Sequence, residues 1–289
     1  MRALQPVSRC VSNSFIVLSL QGGFRLFDIL KHQLLQSTRI YDLLWYGFRL
    51  HHWNVAVRSA EWWKRTRNIH RGRRGFVIGN GPSLKITDLH RLQGDVCIAS
   101  NKIYLAFDET PWRPNYLTCG DKLVWDKIQP DLPGKFSEII TISTMDIRLA
   151  SIPVIVARHL GGHASVAEGF SSDCGLGMYG GRTVTYNNLQ LAAHLGLNPI
   201  FLIGCDHYYQ GESGVNVAGQ VVQHTSSSNH FSPKYRNAGE KVNSAPIGEM
   251  NAAFEVARRV SKVRNIEIYN ATRGGYLEIF DRVTFDSLF

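Results

Sequence analysis

Gly75-Phe76-Val77-Ile78-Gly79-Asn80-Gly81-Pro82-Ser83-Leu84 is the stretch of this 289-residue chain on which its fold turns. A short apolar run of β type empties into a turn flanked by glycines, and Ser83 is placed to begin a helix. Glycines let backbone N–H groups approach a ligand closely, and a helix N-terminus adds partial positive charge. The stretch therefore points to a phosphate or a nucleotide ribose. No Gly-Lys-Ser/Thr follows, as a P-loop requires, and the third glycine of the dinucleotide fingerprint is missing.

Downstream, strand-like runs recur at Asp95–Ser100, Tyr116–Cys119, Glu138–Ser143, Pro153–Ala157, Pro199–Ile203 and Ile266–Tyr269. Helical spacing is expected over Thr183–Leu195, closed by Gly196, and over Pro246–Val263, with Ser244 as its cap. Strands alternating with helices predict an α/β, Rossmann-like fold: a mostly parallel sheet with helices on both faces. Polar residues and glycines gather just past the strand ends: Gly79-Asn80-Gly81, Asn101, Gly120-Asp121, and Gly204-Cys205-Asp206-His207-Tyr208-Tyr209. Ligands of open α/β sheets bind in that crevice. Residues 161–181 and 210–243 show no periodicity and read as lids over it.

Residues 1–72 read as a separate unit, a helical N-terminal extension, with residues 73–289 as the Rossmann-like domain that carries the crevice. Of the Lys and Arg residues, 13 fall before residue 76 against three acidic ones, so the net charge of +9 belongs to this quarter and the body is near neutral. Trp45, Trp53, Trp62 and Trp63 lie in the same quarter. Basic residues interleaved with aromatics fit an anionic membrane surface, while no recognition motif for nucleic acid is present. Packing of these helices on the main domain is the competing expectation. No apolar run reaches the ~20 residues of a membrane span. Five cysteines without a CxxC fit a reducing cytoplasm. The location expected is cytoplasmic, peripheral on the inner membrane face. The eleven histidines show no metal-ligand spacing, so no metal site is expected.

Gly79-Asn80-Gly81-Pro82-Ser83-Leu84, with Asp95-Val96 and Asn101, resembles the opening of the small bacterial lipooligosaccharide sialyltransferases. Arg182-Thr183-Val184-Thr185 before the helix, and Ile203-Gly204-Cys205-Asp206-His207-Tyr208 after the sixth strand, continue that resemblance. Asn270-Ala271-Thr272-Arg273-Gly274-Gly275, with Phe280 and Arg282, is similar to the broader domain-of-unknown-function-115 group. That group includes MptE-like pyrophosphokinases and motility-associated glycosyltransferases. Together the resemblance spans about residues 75–285, and the hexapeptide is its specific part.

The resemblance implies metal-independent, inverting transfer from a CMP-activated acidic sugar to a glycan or lipid-linked acceptor. Asn80 and Gly81 would meet ribose and phosphate, with Gly79 and Ser83 in the same turn. Asn101, Thr183 and Thr185 would face the donor, and Gly204 and Asp206 the nucleotide. Tyr208 would donate to the leaving phosphate, with Tyr209 or Arg182 replacing a second tyrosine whose place falls near Gly214. His230 would be the base, although Lys234 stands where the second histidine of the family's pair is expected. His224 and His207 are weaker candidates. The alternatives are an ATP- and Mg²⁺-dependent pyrophosphokinase using Asp121 with Asp206, and a non-enzymatic nucleotide-binding module. A homo-oligomer stays open.

Overall fold

The computed structural model describes residues 53–142, 150–160, 169–210, 212–213, 221–224, 228–237 and 239–289. In chain order the elements are α1 (Trp53–Thr66), β1 (Gly75–Ile78), α2 (Ile86–His90), β2 (Val96–Ser100), β3 (Tyr116–Cys119) and α3 (Lys122–Ile128). There follow β4 (Ile139–Ile142), β5 (Val154–Ala157), β6 (His159–Leu160), β7 (Met178–Tyr179), α4 (Val184–Leu195) and β8 (Ile200–Ile203). The last are β9 (Glu212–Ser213), β10 (Val221–His224), β11 (Lys241–Asn243), α5 (Ile247–Val263), β12 (Ile268–Asn270) and β13 (Asp281–Arg282).

Every strand-like run is a strand of one eight-stranded sheet, ordered β13-β12-β8-β1-β2-β3-β4-β5 and parallel at each pairing. The chain builds outward from β1 to β5, then returns beside β1 with β8. The topological switch point therefore lies between β1 and β8. Alternate residues of each strand feed opposite layers, as the two-residue period dictates. Val77, Ile98, Ile140, Ile155 and Leu202 pack with α4, α5, Trp62 and Trp63. Phe76, Ile78, Cys97, Ala99, Ile139, Phe201 and Ile203 pack with Leu89, Val124, Trp125 and Ile128. Burial on both faces is why these strands read as continuous apolar runs. The fold is α/β and Rossmann-like.

At the β5 edge, α1 takes the place of a ninth strand. Ser59 Oγ accepts from Val156 N–H (2.9 Å), Trp63 Nε1 donates to Val156 O (2.9 Å) and Arg58 donates to Val154 O (3.2 Å). Covering an edge satisfies backbone groups that would otherwise recruit another chain. Trp62 and Trp63 are buried in an edge-to-face pair, centroids 4.8 Å apart. These two tryptophans belong to the core and are not available to a lipid surface. Trp45, Cys10 and the basic residues before Trp53 lie outside the described residues, as do His163, Gly214 and residues 161–168 and 214–220.

Three local expectations are corrected. Ser83 does not start a helix: α2 begins at Ile86 behind Lys85, which makes no side-chain cap, because Ser83 is engaged elsewhere. Ser244 does not cap α5, whose first flanking residue is Pro246. Residues 169–181 are not a lid. The buried amide of Gln190 accepts from Ser171 N–H and Tyr179 N–H (3.0 Å each) and donates to Tyr179 O (2.9 Å). Tyr186 Oη adds a bond to Gly169 O (2.8 Å), and His194 Nδ1 accepts from Cys174 N–H (3.2 Å). The glycines here admit aromatic rings, since a Cβ at Gly181 would meet Tyr186 at 2.4 Å and one at Gly169 would meet Tyr179 at 2.7 Å. Within residues 210–243, β9, β10 and β11 form a small antiparallel sheet.

Candidate functional site at the strand ends

A cavity of ≈ 670 Å³ opens at the carboxyl ends of β1, β2, β3 and β8. Of the fourteen residues given first roles from the sequence, thirteen line it, as does the weaker base candidate His207; Ser83 does not, and the side chain of His224 lies outside what the structure describes. Gly79, Asn80 and Gly81 come from β1, Asn101 from β2, Asp121 from β3, and Arg182, Thr183 and Thr185 from the start of α4. Gly204, Asp206, Tyr208 and Tyr209 follow β8, and His230 comes from the turn before β11. That volume lies within the ~300–1,000 Å³ of small-molecule sites.

The glycine turn, however, is not an open cradle of N–H groups. Gly79 N–H donates to Ile203 O (2.8 Å), Gly81 N–H to Gly204 O (2.9 Å) and Ser83 N–H to Asp206 Oδ2 (3.3 Å). Ser83 Oγ donates to the same carboxylate oxygen at 2.8 Å. The glycines permit this closeness: a Cβ on Gly81 would stand 1.9 Å from Asp206 Oδ2, and one on Gly79 would stand 2.2 Å from Gly204 O. They fit the second loop to the first. Burial raises the Asp206 carboxyl pKa, and the two Ser83 bonds oppose that shift.

Besides the ends of α3 and α5, the N-terminal end of α4 reaches the cavity. Its first residues, Val184 and Thr185, are in the wall, and Thr183 caps the helix, its hydroxyl accepting from Thr185 N–H (3.3 Å). Just before it Arg182 is held at φ +59° and donates to Glu249 Oε2 at 2.6 Å. Glu249, on the first turn of α5, is thus the anionic partner of Arg182. Two more wall residues are left-handed without being glycine, Asn101 (φ 56°) and His207 (φ 57°). Such conformations cost about 1–3 kcal/mol each and gather at ligand sites.

Asp121 serves as the N-cap of α3, accepting from Leu123 N–H (2.8 Å) and Val124 N–H (3.3 Å), and also from Asn243 Nδ2 (3.0 Å). Asp121 and Asp206, the pair a Mg²⁺ site would need, are thus both engaged with protein donors. Among the described residues no three His, Cys, Asp or Glu side chains gather as a metal-ligand set.

The opposite wall is the turn 228–237. Phe231 N–H donates to Asn80 O (3.0 Å), and Asn229 clasps both backbone groups of Gln210 (2.8 and 2.6 Å). The His230 ring lies flat on that of Tyr235, centroids 3.8 Å apart and 8° from parallel. Tyr235 is buried, which pushes its phenol up to about 12, and Lys102 Nζ donates to its carbonyl (2.8 Å). Arg236 pairs with Glu240 (2.8 Å), as does Lys127. Burial favours a neutral Glu240, but Lys127, Asn237 N–H and Arg236 outweigh it and hold the carboxyl at about 2. His207 Nε2 donates to Asn251 Oδ1 (2.7 Å), and burial lowers its pKa.

Sequence reading passed over Asn187, Asn229, Tyr235, Arg236 and Glu249, all in the wall.

Sheet order and cavity define a Rossmann-like α/β protein with its site at the switch point. No protein-family model matches the chain, and no curated protein is similar to it in sequence. Among solved structures, the MAf glycosyltransferase from Magnetospirillum magneticum AMB-1 is similar, with a TM-score of 0.47 and 17% identity over 78% of this chain. The chain spans 37% of that protein's length. No described helix is long and apolar enough to cross a membrane.

Proposed function

We propose that the protein is a glycosyltransferase taking a nucleotide-activated sugar, with a CMP-linked acidic sugar as donor and a glycan or lipid-linked acceptor. The observation that carries this is the switch-point cavity, walled by three polar residues in left-handed conformation and by the α4 N-terminus. A helix of this length presents about half a positive charge to an anion, which suits the phosphate of the donor. Arg182 adds a full charge once the phosphate competes with Glu249. The acceptor hydroxyl would attack the anomeric carbon as its proton passes to the His230 imidazole. The bond from that carbon to the phosphate oxygen breaks, and its electron pair leaves on the nucleotide. Tyr208 would hydrogen-bond the departing phosphate, since donors aimed at a developing anion stabilise the transition state.

Thermal shift of the full chain with CMP, CDP, UDP, GDP and ATP, each with Mg²⁺ and with EDTA, tests the reading. A nucleotide at hundredfold over its Kd stabilises by about 2.7 kcal/mol. CMP is expected to raise Tm equally in both conditions. Asn101→Gly keeps the left-handed backbone without strain, and is expected to lose that shift at unchanged apo Tm. No shift with any nucleotide, or one seen only for ATP with Mg²⁺, overturns the reading.

A further inference from the structure

Three of the seven large apolar side chains exposed among the described residues are tyrosines at one mouth of the cavity: Tyr208, Tyr209 and Tyr276. Tyr208 follows β8 and lines the cavity, whereas Tyr276 precedes β13 and stands outside it. Tyr208 is 48% exposed and Tyr276 67%. Their rings meet at 5.1 Å between centroids and 44° between planes.

Tyr276 is held in this exposed position by an elaborate turn. Gly274 (φ 81°) and Gly275 (φ 73°) are both left-handed, and a Cβ at Gly275 would come within 2.8 Å of the Asp206 backbone. Tyr276 N–H donates to Asp206 O at 2.8 Å. The Arg282 guanidinium then ties down the turn, donating to the carbonyls of Thr272 (3.3 Å), Gly274 (2.8 Å) and Gly275 (2.9 Å). An exposed ring fixed in this way loses little entropy on meeting a partner, which is the advantage of preorganisation.

We propose that Tyr208 and Tyr276 form a platform on which a pyranose ring of the acceptor saccharide stacks, beside the mouth of the donor cavity. A pyranose offers a face of C–H bonds and a rim of hydroxyls. The tyrosine rings suit the face, and the Gln210 amide, which donates to the Tyr208 hydroxyl at 3.1 Å, suits the rim. A flat base sandwiched between the rings would need them parallel and about 7–8 Å apart, two contact distances. At 5.1 Å and 44° the pair has no such slot and presents an outward surface. The word acceptor rests on the transferase reading; the saccharide platform itself does not.

The test probes a printed array of mono- and disaccharides with the full chain, with Tyr276→Ala and with Tyr276→Phe, alongside the melting shift produced by CMP and UDP. The wild-type chain is expected to be retained on at least one pyranoside, with retention falling at least tenfold in Tyr276→Ala and kept in Tyr276→Phe. Nucleotide shifts are expected to be the same in all three proteins. Retention on no glycan, or equal retention of Tyr276→Ala, overturns the platform. A nucleotide shift lost in Tyr276→Ala also overturns it, by assigning the rings to the base. Glycan retention that depends on Tyr276, with no nucleotide shift in any protein, leaves the platform standing and removes the transferase reading.

Discussion

Replacing Gly81 by alanine separates two roles for the glycine turn, ligand approach and loop packing. The new Cβ would fall 1.9 Å from Asp206 Oδ2, 2.7 Å from its Cγ and 2.8 Å from Gly204 O. Turning the carboxylate aside breaks both bonds from Ser83; the 2.8 Å one contributes about 1.5–3 kcal/mol as a bond to a charged group, and the 3.3 Å one little. The overlap with the Gly204 carbonyl remains, and overpacking of this kind costs about 1–3 kcal/mol. Gly81 does not need a positive φ, so alanine recovers about 0.4–1 kcal/mol from the unfolded chain. The net expectation is a loss of about 2–5 kcal/mol, a fall of about 4–20 °C in Tm at ~2–4 °C per kcal/mol.

The packing account makes a sharper demand on the double variant. Asp206→Ala alone forfeits the Ser83 bonds, but it removes the atoms nearest the new methyl. Gly81→Ala with Asp206→Ala should therefore be less destabilised than the sum of the singles, by about 1–2 kcal/mol, within the range of coupling between touching residues. Urea unfolding of the four proteins at pH 7 measures this directly. Additivity within ~0.5 kcal/mol refutes the clash as the cause. A Gly81→Ala protein with unchanged Tm and lost nucleotide binding would return the glycine to the ligand.

Burial lowers the His194 pKa to about 4, with Asp173 opposing, so the native state holds this histidine neutral. The unfolded chain binds the extra proton below its pKa of ~6.5, so stability is expected to fall as pH drops from about 6.5 to 4, by about 3 kcal/mol; denaturant titrations across that range check it, and a His194→Gln protein should lose the slope. His230→Ala is expected to abolish most transfer while donor binding persists, and Tyr208→Phe to cost roughly 2–4 kcal/mol in kcat; normal turnover in both would remove them from the mechanism. For residues 1–52, Lys31→Glu, Arg39→Glu and Arg49→Glu together should weaken sedimentation with anionic vesicles roughly hundredfold, at ~1 kcal/mol per basic residue. Unchanged retention, or none by the wild-type chain, would refute the membrane role.

The parallel sheet was legible because its central strands are buried on both faces and so spell contiguous apolar runs such as Ile200–Ile203. β13 was not, since Asp281 and Arg282 are exposed and their pairing with Tyr269 and Asn270 is set by the neighbour. The short strands β9, β10 and β11 likewise depend on partners 10 to 22 residues away. Ser83 misled for a related reason: the group that takes its hydroxyl, Asp206, lies 123 residues later. The crevice residues were readable from their place after each strand, while the wall contributed by Tyr235, Arg236 and Glu249 follows from packing that no local pattern records.

That long-range packing also decides which groups can meet a ligand. The β1 turn is closed on one side by Ile203, Gly204 and Asp206 and on another by Phe231, while Thr272 Oγ1 accepts from Cys205 N–H (3.1 Å) and Tyr276 holds Asp206 from behind. The Gly79, Gly81 and Ser83 amides are satisfied before any ligand arrives, and a buried donor already paired gains little by exchanging partners. An anion in this cavity can meet α4 and Arg182, on the far side of the switch point from the turn that first drew attention. Arg182 is in turn half-committed to Glu249, an exposed pair of the kind that contributes at most about 1 kcal/mol. A phosphate can displace so weak a partner. Glu249→Gln should consequently tighten nucleotide binding, and a weaker thermal shift in that variant would show that Arg182 needs Glu249 to be held in place.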